Sequence, residues 1–384
     1  MPEDWHNGSP GWMNKWAALA LKSRICLYEG SYQKYHGGSD ANMWFTEAAN
    51  AAQEIMNSGE FTLFSSGDST TDYRHSFHQT DLEGNSEIIY WKKHIDGINP
   101  DAEQNYFMAY HGGLSKDFVD DYLCTDGLPI GLSPLYMGDD SLETSFMNRD
   151  PRMRQTIIHP DDDGPDNPLH LAGGSLLPHP RLNGQEGGIK SRTGYHTIKF
   201  YDDNSWSHFG HGNVAAIFFR YGEVLLNYAE AKAELGDISQ SDLDETVNLL
   251  RDRVGMPHID LGDIAIDPKY TYMGLSPIIT EIRRERRIEL LGEGFRYDDL
   301  IRWKIAHIKL NMPTLGIQWD DAAIARWPGA IVKTTVDPDN GKSYIDVYKE
   351  SAYETTNFTD KNYLWPIPVW VLSENPVLGQ NPGW

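Results

Sequence analysis

The sequence predicts a mainly α protein, an α–α superhelix of antiparallel helix pairs, with a long irregular insertion and an irregular C-terminal segment. Three observations predict it. Apolar residues recur at helical spacing in Gly11–Glu29, Asp40–Ser58, Ala215–Leu235, Asp242–Val254, Pro277–Leu291 and Phe295–Ile308. That periodicity is lost across residues 60–212 and again beyond 311. Glycine follows several of the periodic segments, where a helix end needs a positive φ. The expected layout is one domain over 1–384, with a helix pair at 11–59, a loop-rich insertion at 60–212, helix pairs at 213–310 and an irregular segment at 311–384.

In the first segment Trp12, Trp16, Leu19, Ala20, Ile25 and Leu27 supply the apolar positions, and Ala17, Ala18 and Ala20 allow close packing. Gly30 is expected to end it. Its partner carries Trp44, Phe45, Ala48, Ala51, Ala52, Ile55 and Met56, and Gly59 ends that helix. Two antiparallel helices with Ala-lined contacts make a tetratricopeptide-like unit.

Within the insertion, Ser86–Trp91 reads as a strand and Gly97–Gly113 as a loop rich in aromatic and amide side chains. Asp117–Leu123 reads as a short helix capped by Ser115. Asp161–Pro168 is an acidic loop without the spacing of a calcium-binding EF-hand. Tyr195–Tyr201 alternates like an edge strand. Ala215–Leu235 is the best amphipathic helix, with Ile217, Phe218, Tyr221, Val224, Leu225 and Tyr228 on its apolar side and Gly236 as its stop. Asp242–Val254 is its partner. At the end of the chain, Leu364–Val371 carries two prolines, which excludes a central strand. An extended, docked apolar tail is expected there.

The chain is organised around Glu281–Lys304, EIRRERRIELLGEGFRYDDLIRWK. It reads as a helix, a break at Gly292 and Gly294, and a second helix. Its dense alternation of Arg with Glu and Asp predicts a partly buried lattice of ion pairs that fixes how the two helices cross. Asp298 and Arg302, at i,i+4 spacing, are the expected pair within it.

Composition narrows the function. A net charge of −23 opposes nucleic-acid binding and a basic membrane-surface patch, and suits a neutral ligand. Twelve Trp and 20 Tyr offer flat faces for stacking on sugars, although packing accounts for most of them. Cys26 and Cys124 are far apart and read as buried free thiols. No run approaches the ~20 apolar residues of a membrane span.

Catalysis finds little support. A glycosidase needs two carboxylates facing each other across a substrate. Asp120/Asp121, Asp202/Asp203 and Asp298/Asp299 are adjacent in sequence, so they point apart. The 14 His form no HExxH or paired HxH pattern. His208 and His211 read as a hydrogen-bonding loop pair. No catalytic residue, metal ligand or cofactor site is assigned.

Five motifs in order resemble the SusD/RagB family of outer-membrane nutrient-binding lipoproteins: DFVDDYLCTDGLPI (117–130), FMNRDPRMRQT (146–156), FFRYGEVLLNYAEAKAELG (218–236), ERRIELLGEGFRYDDLIRWK (285–304) and the closing YLWPIPVWVLSENPVLGQNPGW. The resemblance spans roughly residues 12–384. It implies a tetratricopeptide-like fold and non-catalytic binding of a glycan or other nutrient at the outer membrane. It also implies delivery to a SusC-like TonB-dependent transporter, which the protein would cap like a lid, and surface exposure by a lipid anchor. The segment MPEDWHNGSPGW has neither a signal-peptide core nor a lipid-bearing Cys, so a chain truncated at its N-terminus is expected.

A neutral-sugar site needs aromatic faces and hydrogen-bonding groups on loops held by a rigid scaffold. Two loops offer that mixture. One brings Gln104, Asn105, Tyr106, Tyr110 and His111, and the other Asn204, Trp206, His208 and Phe209. Two other readings stay open: a tetratricopeptide-type protein-interaction scaffold, which would not respond to oligosaccharide, and an α-helical glycosidase, which would release reducing ends.

Overall fold

The computed structural model describes residues 12–101, 112–159, 170–171, 175–176, 181–185, 190–201, 211–354, 356–375 and 377–384. The fold is mainly helical and tetratricopeptide-like. The first helix, Lys15–His36, starts on Asn14, whose side chain accepts from the Ala17 amide at 2.9 Å. It runs through Gly30 and stops at Gly37, which adopts φ 88°. The expected stop at Gly30 is therefore wrong. A Cβ there would lie 2.7 Å from the Phe45 ring, so this glycine admits the neighbouring helix instead. That neighbour, Ala41–Ser58, ends on Gly59 at φ 72°, and Ala17, Ala20, Ala48 and Ala52 are buried in the pair's core.

The strongest amphipathic segment divides in two. Ala216–Arg220 is a strand, antiparallel to Ile88–Lys92, and the helix begins only at Tyr221 and runs to Leu235. The β-branched and aromatic run Ile217-Phe218-Phe219 satisfies its backbone by pairing with the IIYWK strand. Helix Tyr221–Leu235 packs against both Ala41–Ser58 and Pro277–Glu289, which is why its side chains are buried almost all round. Its expected partner is also divided, into Gln240–Asp244 and Val247–Arg253. A reciprocal Ser239/Asp242 capping box starts the first piece, and Thr246 leaves helical geometry between the two.

In the organising stretch, Pro277–Glu289 and Arg296–Arg302 flank Gly292 at φ 75° and Gly294 at φ 87°. A further turn, Ala306–Lys309, continues the path.

Within the insertion, Ser115 caps the one-turn helix Lys116–Val119, and Pro151–Thr156 forms another short helix. Tyr195–Tyr201 is not an edge strand. It makes one isolated bridge, Thr197 to Ile157, and both of its faces are buried. The alternation misleads because the polar residues are inside as well. Lys199, for example, donates to the carbonyls of Glu289 and Leu291 and to Glu293 at 2.7 Å.

After residue 311 a three-stranded antiparallel sheet forms in the order Leu315–Gln318, Ser343–Asp346, Thr334–Val336. Residues 364–371 do not dock as an extended apolar tail. Pro368 begins a short helix, Val369–Glu374, and Trp365, Val369 and Trp370 are 76 %, 77 % and 65 % exposed. The closing polar residues hold this segment by its backbone. Gln380 bonds both the amide and the carbonyl of Ile367, Asn381 donates to Trp365 O at 2.6 Å, and Trp384 Nε1 donates to Leu364 O at 2.9 Å. Cys26 and Cys124 are both buried and free. No helix among the described residues is long and apolar enough to cross a membrane.

Candidate functional site

The two loops singled out in the sequence stand side by side at their bases. Asp101 and Gly212 pair antiparallel, with Asp101 N to Gly212 O at 2.7 Å and the reciprocal bond at 3.2 Å. A Cβ on Gly212 would lie 2.8 Å from the Asp101 carbonyl oxygen, so the close pairing depends on glycine. One residue earlier, His211 Nδ1 lies 2.6 Å from Asp96 Oδ1, a second tie between the loops. The candidate residues themselves, Gln104, Asn105, Tyr106, Tyr110, His111, Asn204, Trp206, His208 and Phe209, lie outside the described residues, as do Asp202 and Asp203.

One cleft opens beside these bases, and a second opens at the other described end of the first loop. The first, about 420 Å³, is lined by Asp101, Phe200, Val214, Phe218, Arg220 and Glu293 among others. The second, about 570 Å³, is lined by Gly113, Ser115, Phe118, Leu291, Arg296 and Tyr297 among others. Gly292, Gly294 and Phe295 border both. The turn of the organising stretch is therefore a shared wall. The described ends of the first loop reach both clefts, Asp101 at one and Gly113 at the other. Both volumes fall in the range of small-molecule sites, and both mix aromatic with polar walls.

A buried charge lattice backs this wall. Arg220 reaches Glu87 at 2.9 Å, Glu289 at 2.8 Å and Glu293 at 2.7 Å. Arg253 adds a 2.6 Å contact to Glu289, and Arg152 joins Glu289 to Asp150 and Glu285. Arg283 holds Glu234 at 2.9 Å, Arg286 holds Asp299 at 3.0 Å, and Arg287 holds Asp117 and Asp121. Burial alone would raise the carboxyl pKa values, but the guanidinium neighbours outweigh it. Glu230 is held at about 2, and Glu289 and Asp121 lie well below the usual carboxylate range. These groups are locked as ions and are not poised to exchange protons.

The predicted Asp298–Arg302 pair is corrected. Arg302 turns inward to Asp299, at 2.8 Å, and to Glu230, while Asp298 is exposed. The i,i+3 partner lies on the buried side of this short helix and the i,i+4 partner does not. Adjacent carboxylates likewise separate: Asp120 pairs with Lys116, while Asp121 meets Lys269, Tyr270 and Arg287.

Sequence reasoning missed the lattice partners outside the stretch, above all Glu230 and Glu234 in YAEAKAEL. The available signal was an acidic pair at i,i+4 inside an otherwise apolar helix. It also missed Phe118, Arg296 and Tyr297 as cleft walls, the last two because GEGFRY reads as part of the lattice.

The profile of the SusD family matches residues 64–384. A SusD-like protein of Formosa agariphila is 33 % identical over 112 residues, covering 29 % of this chain and 21 % of that protein. Among solved structures, a SusD-like carbohydrate-binding protein from Bacteroides fragilis superposes with a TM-score of 0.68 at 23 % identity, covering 97 % of this chain and 66 % of the other. A second SusD-like protein from the same organism gives 0.67 at 24 % identity, covering 100 % and 68 %. Surface glycan-binding protein A from Bacteroides thetaiotaomicron gives 0.53 at 18 % identity, covering 100 % and 66 %. The chain thus spans about two thirds of the solved chains it resembles, and the curated match is shorter still. The profile match extends from within the insertion to the last residue and takes in the buried charge lattice, so this chain is a member of the SusD family.

Proposed function

We propose that the protein binds a glycan without transforming it, at the outer surface of the outer membrane, and passes it to a SusC-like TonB-dependent transporter. The observation that carries the binding reading is the Asp101–Gly212 pairing. It supports a single site built from both candidate loops, beside two clefts of ligand size. Membership of the family, and relatives described as carbohydrate- or glycan-binding, support the glycan as ligand. Delivery, the transporter and lipid anchoring rest on family membership alone.

In this reading Trp206, Tyr106 and Tyr110 are stacking platforms. Asn204, His208, Gln104, Asn105 and His111 meet sugar hydroxyls, and Phe209 adds apolar contact. A glycan array followed by calorimetric titration of each hit tests the binding, and an assay for new reducing ends on the same glycans tests catalysis. Saturable binding without product is the expected result. Absence of binding across the array overturns the proposal, and release of reducing ends replaces it with a glycosidase.

A further inference from the structure

The second cleft carries one cation without a partner. Among the described residues Arg286, Arg287 and Arg296 border it, against one carboxylate, Asp299. Asp299 is committed, accepting from Arg286 Nε at 3.0 Å and from Arg302 Nε at 2.9 Å. Arg286 also donates to Asn227, and Arg287 is held by Asp117 and Asp121. Arg296 makes no hydrogen bond or ion pair among the described residues. Asp298, two positions on, is exposed and does not border the cleft.

The nitrogens of Arg296 are open to solvent. The residue is only partly buried, and none of its nitrogens is a buried atom left without an acceptor. The strongest charge acting on it is another cation: burial first, and the charge of Arg287 next, hold its pKa down. Two hydroxyls on the same cleft are also unused. Tyr297 is 43 % exposed, and neither its hydroxyl nor that of Thr314 makes a hydrogen bond among the described residues. Phe118, Leu290 and Leu291 add apolar wall. Apolar walls with a few free polar groups are the usual form of a small-molecule site, and the free charge at this one is positive.

We infer that the second cleft takes an acidic glycan, whose sugar carboxylate or sulfate ester accepts from Arg296 beside the ring of Tyr297. This rests on the proposed glycan binding and names the class of glycan. An anionic group gives Arg296 the charge-assisted hydrogen bonds that it lacks within the chain, and a neutral hydroxyl gives weaker ones. The net charge of −23 suits a neutral ligand, but exposed charges more than ~8 Å away are screened at physiological salt, so the free cation sets the local preference. The cleft borders Gly113, at the described end of the first candidate loop, which puts the charged sugar beside the proposed site.

Matched glycans test this. The array carries each acidic glycan beside its neutral counterpart, uronates beside their methyl esters and sulfated glycans beside the desulfated forms, and each hit is titrated by calorimetry. The parent is expected to bind a charged form about tenfold or more tighter than its counterpart, and the arm that shows this separates carboxylate from sulfate. This comparison needs no variant. R296Q is expected to bring the two forms within about twofold of each other, and R296K to recover part of the preference. R296Q should melt as the parent does, since no carboxylate loses a partner. Hits confined to neutral glycans, equal binding of both forms, or a preference that survives in R296Q overturns the inference and leaves glycan binding standing. Absence of binding to any glycan overturns both.

Discussion

Arg302 grips Glu230 with both terminal nitrogens, Nη1 to Oε1 at 2.6 Å and Nη2 to Oε2 at 2.7 Å, although 72 residues separate them in sequence. Trp303 Nε1 donates to the same carboxylate at 2.7 Å, and Ser31 accepts from Arg302 at 2.7 Å. One buried ion pair thus ties the first helix, helix Tyr221–Leu235 and the organising stretch together. R302A is expected to lose about 3–5 kcal/mol, because it strands a buried carboxylate. Urea unfolding measures this. E230Q/R302M, which removes both charges and keeps an acceptor for Trp303, is expected to lose less. Equal losses would mean that packing around Arg302, and not its charge, supports the fold.

The same carboxylate predicts acid sensitivity. Its folded pKa of about 2 lies below the ordinary 4.5, since Arg302 and its neighbours outweigh burial. As pH falls below 4.5 the unfolded chain takes up this proton before the folded chain does. Stability present above 4.5 is therefore lost as pH approaches 2, by about 3 kcal/mol from this group. Melting curves across that window are expected to fall less steeply in E230Q than in the parent. Parallel curves would assign the acid loss to other carboxylates.

Gly30 is expected to tolerate no side chain. G30A places a methyl group 2.7 Å from Phe45 Cδ1 and should cost about 1–3 kcal/mol by overpacking, despite the better helix propensity of alanine. F45L in the same background should recover part of that loss. A stabilised G30A, seen by calorimetric melting, would show that the helix pair can separate without cost.

If the two loops make one glycan site, changes in either should act on the same binding step. W206A is expected to weaken binding by about 1–3 kcal/mol with little change in melting temperature. G212A should weaken the same interaction by pushing the loop bases apart at the Asp101 carbonyl. Titration of one glycan against both variants checks this. Unchanged affinity in W206A would move the platform to Tyr106 and Tyr110.

The sequence by itself determined the helices whose apolar stripe and stop signal agree. Ala41–Ser58 has both, and Gly59 takes the left-handed geometry that its place after the stripe demands. The break at Gly292 and Gly294 was legible for the same reason, because it depends on neighbours in sequence. The density of Arg, Glu and Asp in the organising stretch likewise announced a lattice of paired charges.

Tertiary structure decided whatever depended on a partner distant in sequence. Ile217 and Phe218 fit a helical stripe, but Ile88–Lys92 offered them a ladder, and they became part of a strand. Gly30 has the form of a stop and serves instead as the space for Phe45. Arg302 took Glu230 and Asp299 over Asp298, because a buried guanidinium must find buried acceptors and helix spacing does not say which neighbours are buried. The candidate loops follow the same division. Their composition was visible in the residues, but their meeting at Asp101 and Gly212 is a contact across 111 positions. Only the folded scaffold brings those two backbones together.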